Sequence, residues 1–401
     1  MIGFTKLLCG HATVAEAMRQ EAAGLVAPHL LQFSASDRPL VVWNVTYRCN
    51  LKCAHCYIDA RGRSGQDELS SEEALAMIND LAAMRVPVLL FSGGEPLMRK
   101  DVLGLARYAL ERGLRPVLST NGTLIDRPMA SRLKAAGFQY AGVSLDGLED
   151  THDRFRRQAG AFRAAIEGIR NCTAAGVRAG VRFTLNALNA ADLPGLLDLV
   201  EELAVPRFCL YHLVYSGRGK RLMAQDVTPE QRRAAIHLLV ERVLDWDRRG
   251  VEIEVLTTGQ HADGAFLLGY VAHERPERAA EVRQLLEMHG GCSAGCKMAN
   301  VDPLGTIHPC QFWGHVSLGN VKVRKFSEVW RDAGNAALGQ LRAKADPLEG
   351  KCAECAHREV CGGCRVRAEA AFGDAWAEDP ACYLTAEERA GTCAVASAPA
   401  R

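Results

Sequence analysis

The sequence predicts an α/β chain: an open, partial (β/α)6 TIM-like barrel followed by a smaller C-terminal domain held by metal. Three observations predict this. Strand-like and helix-like segments alternate from residue 40 to about residue 256. The strand-like runs are largely apolar, as parallel strands covered on both faces are. Beyond residue 290 the periodicity gives way to a stretch rich in cysteine and glycine, which a metal holds together more readily than a core does.

The elements follow in order. Leu40 to Thr46 is a β-rich run, with a cysteine loop directly behind it. Ser70 and Glu73 have capping-box spacing, and Leu75, Ile78, Leu81 and Ala82 continue at helical intervals. Val86–Ser92 reads as the second strand, and Asp101–Arg112 as a helix stopped by Gly113. Further strands are predicted at Arg115–Ser119, Tyr140–Leu145, Val177–Leu185 and Arg207–Val214, with helices at Pro128–Ala136, Ala161–Ala175 and Leu193–Leu203. A helix at Thr228–Arg248 and a strand at Glu252–Leu256 end the alternation. Repeated units of this size imply right-handed crossovers and a parallel sheet. Six units are two short of a closed eight-fold barrel. The division expected is residues 1–39 as an N-terminal segment, 40–285 as barrel, 286–390 as the cysteine-rich domain and 391–401 as a tail.

Bulk properties exclude several function classes. With 48 Lys and Arg against 47 Asp and Glu, composition gives no case for nucleic acid or an acidic membrane surface. No apolar run approaches the roughly 20 residues of a membrane span, and the first residues lack an export signal. The expected compartment is the cytoplasm. Fifteen cysteines are then too many for a disulfide reading, which suits small secreted domains. Three lie at 49–56, eight between 292 and 382, and Cys9, Cys172, Cys209 and Cys393 stand alone. Thiolates that must converge on one inorganic core show this tight local spacing.

Cys49, Cys53 and Cys56 supply three thiolates immediately after a strand. Three ligands on a four-iron cluster leave one iron open to substrate, whereas zinc would want a fourth ligand close by. The CxxxCxxC spacing, with the aromatic His55 before the last cysteine, resembles the radical S-adenosylmethionine superfamily. Downstream, Gly93, Gly94, Glu95 and Pro96 match that family's GGEP motif at the end of the second strand. The resemblance implies a catalytic 4Fe–4S cluster on Cys49, Cys53 and Cys56. It also implies that S-adenosylmethionine is held by His55 and the GGEP segment, with Glu95 and the backbone receiving its amino group. Glycines there let a ligand approach the backbone closely. Asn121, Ser144 and Arg182, at or near later strand ends, take the ribose and carboxylate by the same resemblance. Read from the residues alone, they remain equally strand-terminating turns.

The order Cys292, Cys296, Cys310, Cys352, Cys355, Cys361, Cys364 and Cys382 resembles the SPASM extension of such enzymes. That extension carries two auxiliary 4Fe–4S clusters. The resemblance implies Cys292, Cys296, Cys310 and Cys364 on one and Cys352, Cys355, Cys361 and Cys382 on the other. Cys361 and Cys364 are separated by two residues, where three is the commoner number. Zinc ribbons also use CxxC pairs, which keeps zinc as the alternative.

Resemblance extends along nearly the whole chain, through the segments at 3–10, 30–34, 41–44, 211–220, 311–315 and 379–384, to the radical enzymes of haem and haem d1 biosynthesis. It implies removal of acetate side chains from 12,18-didecarboxysiroheme, giving iron-coproporphyrin III through a 5′-deoxyadenosyl radical. A haem d1 enzyme acting on the same iron tetrapyrrole is the alternative, with a reduced flavodoxin- or ferredoxin-like protein as electron donor in either case. A peptide-modifying maturase would share both cysteine blocks but needs a peptide-binding segment before residue 40, where little room is expected. A non-catalytic electron carrier would not need GGEP. Arg218 and Lys220 are candidates for the substrate carboxylates, as are Arg154, Arg156 and Arg157. His261 and His212 are candidate ligands of the tetrapyrrole iron. A solvated charged face and structural histidines are the plainer readings.

Overall fold

Apolar runs that bury both faces become one sheet in the computed structural model, which describes residues 1–10, 38–58, 60, 67–344 and 346–391. Its strands are β1 (Ile2–Gly3), β2 (Leu40–Asn44), β3 (Val88–Ser92), β4 (Arg115–Thr120), β5 (Tyr140–Ser144), β6 (Arg178–Leu185), β7 (Arg207–His212) and β8 (Glu254–Thr258). Strands β2 to β8 lie side by side in chain order, each parallel to the next. Helices over Ser71–Ala83, Val102–Glu111, Arg127–Ala135, Ala161–Ala174, Leu193–Glu202 and Pro229–Arg249 fill the six crossovers. The expected open, partial barrel of six units is the fold observed, with a seventh parallel strand after the sixth helix.

Local chemistry starts these helices. Ser70 Oγ accepts from Glu73 N at 3.2 Å and the Glu73 carboxylate accepts from Ser70 N at 2.8 Å, the reciprocal box that satisfies two orphan donors. Thr228 and Gln231 repeat the device. Asp126 caps the helix that begins Arg127-Pro128.

The structure departs from expectation after residue 256. Two helices, Ala262–Glu274 and Ala279–His289, occupy a region that reads as irregular. The first has Ala262 to Leu268 buried without interruption, so it shows no amphipathic period to read. The second spans the expected 285/286 boundary. Nor does metal alone hold the C-terminal segment. Its β9 (Met298–Val301) runs parallel to β2 and extends the barrel sheet, followed by antiparallel β10 (Thr306–His308) and β11 (Gly319–Asn320). Phe326, Val329, Trp330, Leu338, Tyr383 and Leu384 join the core of the barrel. At the other edge β1 pairs antiparallel with β8. The expected tail from residue 392 onward, the segment 30–34 and Cys393 lie outside the described residues.

Where β3 ends, the chain folds back on the loop that leaves β2. Gly94 N donates to Thr46 O and Glu95 N to Arg48 O, both at 2.8 Å. A Cβ on Gly94 would lie 2.1 Å from Arg48 O, and neither backbone can yield without moving the cysteine loop. Gly104, exposed on its helix, has open space around it. Gly94→Ala is therefore expected to destabilise by about 1–3 kcal/mol, and Gly104→Ala to stabilise by about 0.5–1 kcal/mol. Denaturant unfolding of the two variants beside wild type measures both; equal midpoints would contradict the close approach.

Candidate active site

The carboxyl ends of β3 to β7 surround a cleft of about 1060 Å³, counted to its open mouth. Polar side chains at strand ends reach it at alternate positions: Ser119 on β4, Ser144 on β5, Arg182 and Thr184 on β6, and Tyr211 on β7. Gln311 and Phe312 of the C-terminal segment line it as well, and the Phe312 ring meets Tyr57 edge-on at 5.4 Å.

Cys49, Cys53 and Cys56 all line this cleft. Each sulfur accepts a hydrogen bond: Cys49 from Leu51 N at 3.4 Å, Cys53 from Arg156 Nη1 at 3.3 Å and Cys56 from Ala60 N at 3.4 Å. Burial pushes the Cys49 thiol up to about 12, so ionised ligands here require a cationic centre to face. The His55 ring stacks on Phe155 at 4.7 Å, and its Nε2 is 3.4 Å from Asp146. Burial lowers its pKa to about 4, which keeps the ring neutral.

The GGEP segment divides its tasks. Gly93 and Gly94 line the cleft, while the buried Pro96 opens a short turn behind it. The Glu95 carboxylate is wholly buried and accepts from Thr120 Oγ1 and Asn121 N at 2.9 Å and from Leu97 N at 3.2 Å. Burial raises its pKa to about 7. The carboxylate thus ties β3 to β4 from behind the cleft lining, where the glycine backbone lies. Asn121 lines the cleft too, donating from Nδ2 to Asn50 Oδ1 at 2.9 Å. Arg182 crosses β5 at Gly142, where a Cβ would lie 2.2 Å from its Nε, and donates to Ser119 Oγ on β4.

The substrate candidates fare differently. Arg218 donates from Nε to Cys53 O at 2.8 Å and from Nη1 to Ala60 O at 3.1 Å, and its amide reaches Cys56 O at 2.9 Å. Through these donors it clamps the cysteine loop, and it lines the cleft as well. Gly217, at φ 53°, lets that approach happen; a Cβ there would lie 2.4 Å from Tyr57 O. Lys220 is exposed and does not line the cleft. His261 precedes the helix Ala262–Glu274, buried, with its ring 5.6 Å from that of His289. It is not among the cleft-lining residues, which counts against an axial ligand. His212 lines the cleft but both ring nitrogens are engaged. Arg232 donates to Nδ1 at 2.7 Å, so Nε2 carries the proton toward Asp263 at 2.8 Å.

The auxiliary thiols come together in two groups. Cys310 lies within electrostatic reach of Cys292 and Cys364, and Cys292 of Cys296. Cys361 lies within reach of Cys382 and Cys352, and Cys355 of Cys352. A local motif recurs: the amide two residues on donates to the sulfur of Cys355 at 3.4 Å and of Cys361 at 3.5 Å, as it does at Cys49. Half-buried sulfurs that accept amide protons suit iron–sulfur ligation. Cys296 departs from this, its thiol donating to Leu341 O at 3.2 Å. Among the described residues no three His, Cys, Asp or Glu side chains close on a single-ion site. The lone cysteines Cys172 and Cys209 are buried, and burial raises their pKa to about 12 and 11.

One ion pair joins both auxiliary groups to the barrel. Arg367 and Asp379, at 0 and 1 % side-chain exposure, meet at 2.7 Å. Asp379 accepts from Cys364 N at 2.8 Å and donates its own amide to Cys352 Sγ at 3.4 Å. Arg367 also reaches Leu213 O at 3.2 Å, just past β7. Against the cost of burial, the guanidinium holds the Asp379 carboxyl far below the usual carboxylate range. Arg367→Met would leave that carboxylate buried and unpaired, a loss of about 3–5 kcal/mol. A lowered melting temperature and faster proteolysis beyond residue 290 are expected, and an unchanged melting curve would refute the role given to the pair.

Sequence reasoning missed Thr120, Asp146 and Tyr57 as parts of the site and gave Arg156 another use. The polar residues within otherwise apolar strands, at every second position, are the signal that could have drawn the cleft's lining.

Comparison with known proteins agrees with this geometry. The family model for the radical SAM superfamily matches residues 43–200, and that for the SPASM iron-sulfur cluster-binding domain matches 292–356. Fe-coproporphyrin III synthase of Methanosarcina barkeri is 49% identical over 97% of this chain and 98% of its own length. Pre-heme d1 synthase of Dinoroseobacter shibae is 41% identical over 88% of each chain. Among solved structures, Streptococcus suis SuiB bound to S-adenosylmethionine superposes with a TM-score of 0.67 at 20% identity, covering 87% of this chain and 78% of that one, a likeness of fold. On these matches, and on three thiols and a Gly-Gly shoulder around one cleft, the chain belongs to the radical SAM superfamily and carries its SPASM extension.

Proposed function

We propose that the chain is a radical S-adenosylmethionine enzyme of siroheme-dependent haem biosynthesis, removing acetate side chains from 12,18-didecarboxysiroheme to give iron-coproporphyrin III. The 49% identity to Fe-coproporphyrin III synthase across nearly the whole of both chains carries this reading. Its cofactors are S-adenosylmethionine and 4Fe–4S clusters. Cys49, Cys53 and Cys56 hold the catalytic cluster; Cys292, Cys296, Cys310 and Cys364 hold one auxiliary cluster, and Cys352, Cys355, Cys361 and Cys382 the other. The cleft-facing thiols support the first set, and the two groups in which the remaining thiols gather support the auxiliary sets. When bound, cluster and S-adenosylmethionine together supply one-electron reductive cleavage and hydrogen-atom abstraction.

The chain's own residues bind and orient. Gly93 and Gly94 present bare backbone to the methionine end, and His55, Asn121, Ser144 and Arg182 surround the rest of the cofactor. Arg182, locked over Gly142 by Ser119, offers a fixed guanidinium to a carboxylate. The mouth of the cleft, walled by Phe312 and Gln311, receives the iron tetrapyrrole. A reduced flavodoxin- or ferredoxin-like protein supplies electrons. The many unpaired thiols support a cytoplasmic setting.

Cys53→Ala is expected to abolish 5′-deoxyadenosine formation while the auxiliary clusters persist. Anaerobically reconstituted protein should then fall from about twelve irons to about eight. Retained cofactor cleavage would overturn the ligand assignment. Incubated anaerobically with S-adenosylmethionine, a reductant and 12,18-didecarboxysiroheme, wild type should yield the mass of iron-coproporphyrin III. Accumulation of the haem d1 precursor instead would move the chain to the sister activity.

A further inference from the structure

Arg156 ends the helix Glu149–Arg156 and is 6% exposed, yet it lines the cleft. Two contacts fix its guanidinium. Nη2 forms an ion pair with Asp146, itself wholly buried, and Nη1 donates to Cys53 Sγ at 3.3 Å. Nε is buried with no hydrogen-bond partner among the described residues. Asp146 is in turn held from behind, its Oδ1 accepting from Thr184 N at 3.1 Å and its amide donating to His152 Nδ1 at 3.0 Å. Asparagine Asn189 adds Nδ2 to Asp146 O at 3.1 Å.

Tethering the loop does not account for this arrangement. Ala54 N already bonds to Phe155 O at 2.9 Å, and Arg218 clamps Cys53 O and Ala60 O. What Arg156 adds is a cation turned toward one sulfur, with its counter-charge on the far branch of the guanidinium. Although the pair is neutral as a whole, its positive end faces the thiolate. Hydrogen bonds and positive charge at a ligand sulfur stabilise the reduced, more negative state of an iron–sulfur cluster.

We propose that Arg156 is a positioning residue of the first cluster, which through Cys53 Sγ raises that cluster's reduction potential and so eases its acceptance of an electron. The proposal rests on the reading of Cys49, Cys53 and Cys56 as the cluster's ligands. The step is one electron from a one-electron donor to the cluster, whose charge falls by one; no proton moves and no bond to Arg156 forms or breaks.

The test is a potentiometric titration of full-length, three-cluster protein with dithionite, followed by electron paramagnetic resonance. The first cluster is identified as the one whose signal changes when S-adenosylmethionine is added. In Arg156→Met the reduced-to-oxidised ratio of that cluster at fixed potential is expected to fall about tenfold, which is about 59 mV for one electron. Arg156→Lys, keeping the charge, is expected to lie between Met and wild type, with iron content and the auxiliary signals unchanged in both. A Met variant with full iron and the wild-type potential overturns the proposal, leaving the ligand reading intact. Should Met lose the first cluster, Lys and Gln variants are compared: a lower potential in Gln supports the proposal and equal potentials overturn it. A wild type with no cluster responsive to S-adenosylmethionine would overturn the ligand reading, and the proposal with it.

Discussion

Buried guanidinium–carboxylate pairs are what the thiol groups of this protein are built against. Arg367 and Asp379 lie at the meeting point of Cys352, Cys364 and the end of β7; Arg156 and Asp146 lie behind Cys53. Such pairs are costly to bury, and a well-packed apolar core would serve stability as well. Their value here is positional. Each spends its remaining donors and acceptors on thiol loops and strand ends, so removing either partner would disorder several segments at once. Asp379 meets the thiol loops while Arg367 reaches a strand-end carbonyl; at the other pair Asp146 is at the rear and Arg156 faces the sulfur.

The same logic explains how loops far apart in the chain come to share one cleft. The backbone of Gly94 and Glu95 grips Thr46 and Arg48, which fixes where Cys49 begins. Arg218, from beyond β7, grips the loop's other end. The cysteine loop is thus held at both ends by main-chain and guanidinium hydrogen bonds from different strands, before any cofactor contributes. Preorganisation of this kind lowers the ordering cost that ligand binding must meet.

Much of this was legible in the residues. The parallel strands read directly because both their faces are buried, and the capping box at Ser70 places that helix start to within a residue. Cysteine spacing and GGEP located the cleft. What could not be read were pairings across long separations. Arg156 and Arg218 look in sequence like free cations, and only the fold shows that Cys53 Sγ and loop carbonyls take their donors. The helix Ala262–Glu274 hid because it is apolar nearly all round, and β9 because a four-residue strand (Met298–Val301) carries little pattern. His212 and His261 illustrate the limit for histidines, whose role depends on partners that sequence does not name.

The joining of β9 to β2 has a consequence for the cleft. Because the C-terminal segment continues the barrel sheet and shares its core, Gln311 and Phe312 form a fixed wall of the cleft rather than a detachable cover. Phe312 touches Tyr57, whose hydroxyl donates to Asn44 Oδ1 at 2.7 Å at the end of β2. A change in that wall is therefore felt directly beside the cysteine loop. Whatever the cleft receives is therefore placed against a wall that cannot move independently of the thiols, and small displacements of a reacting group carry large kinetic effects.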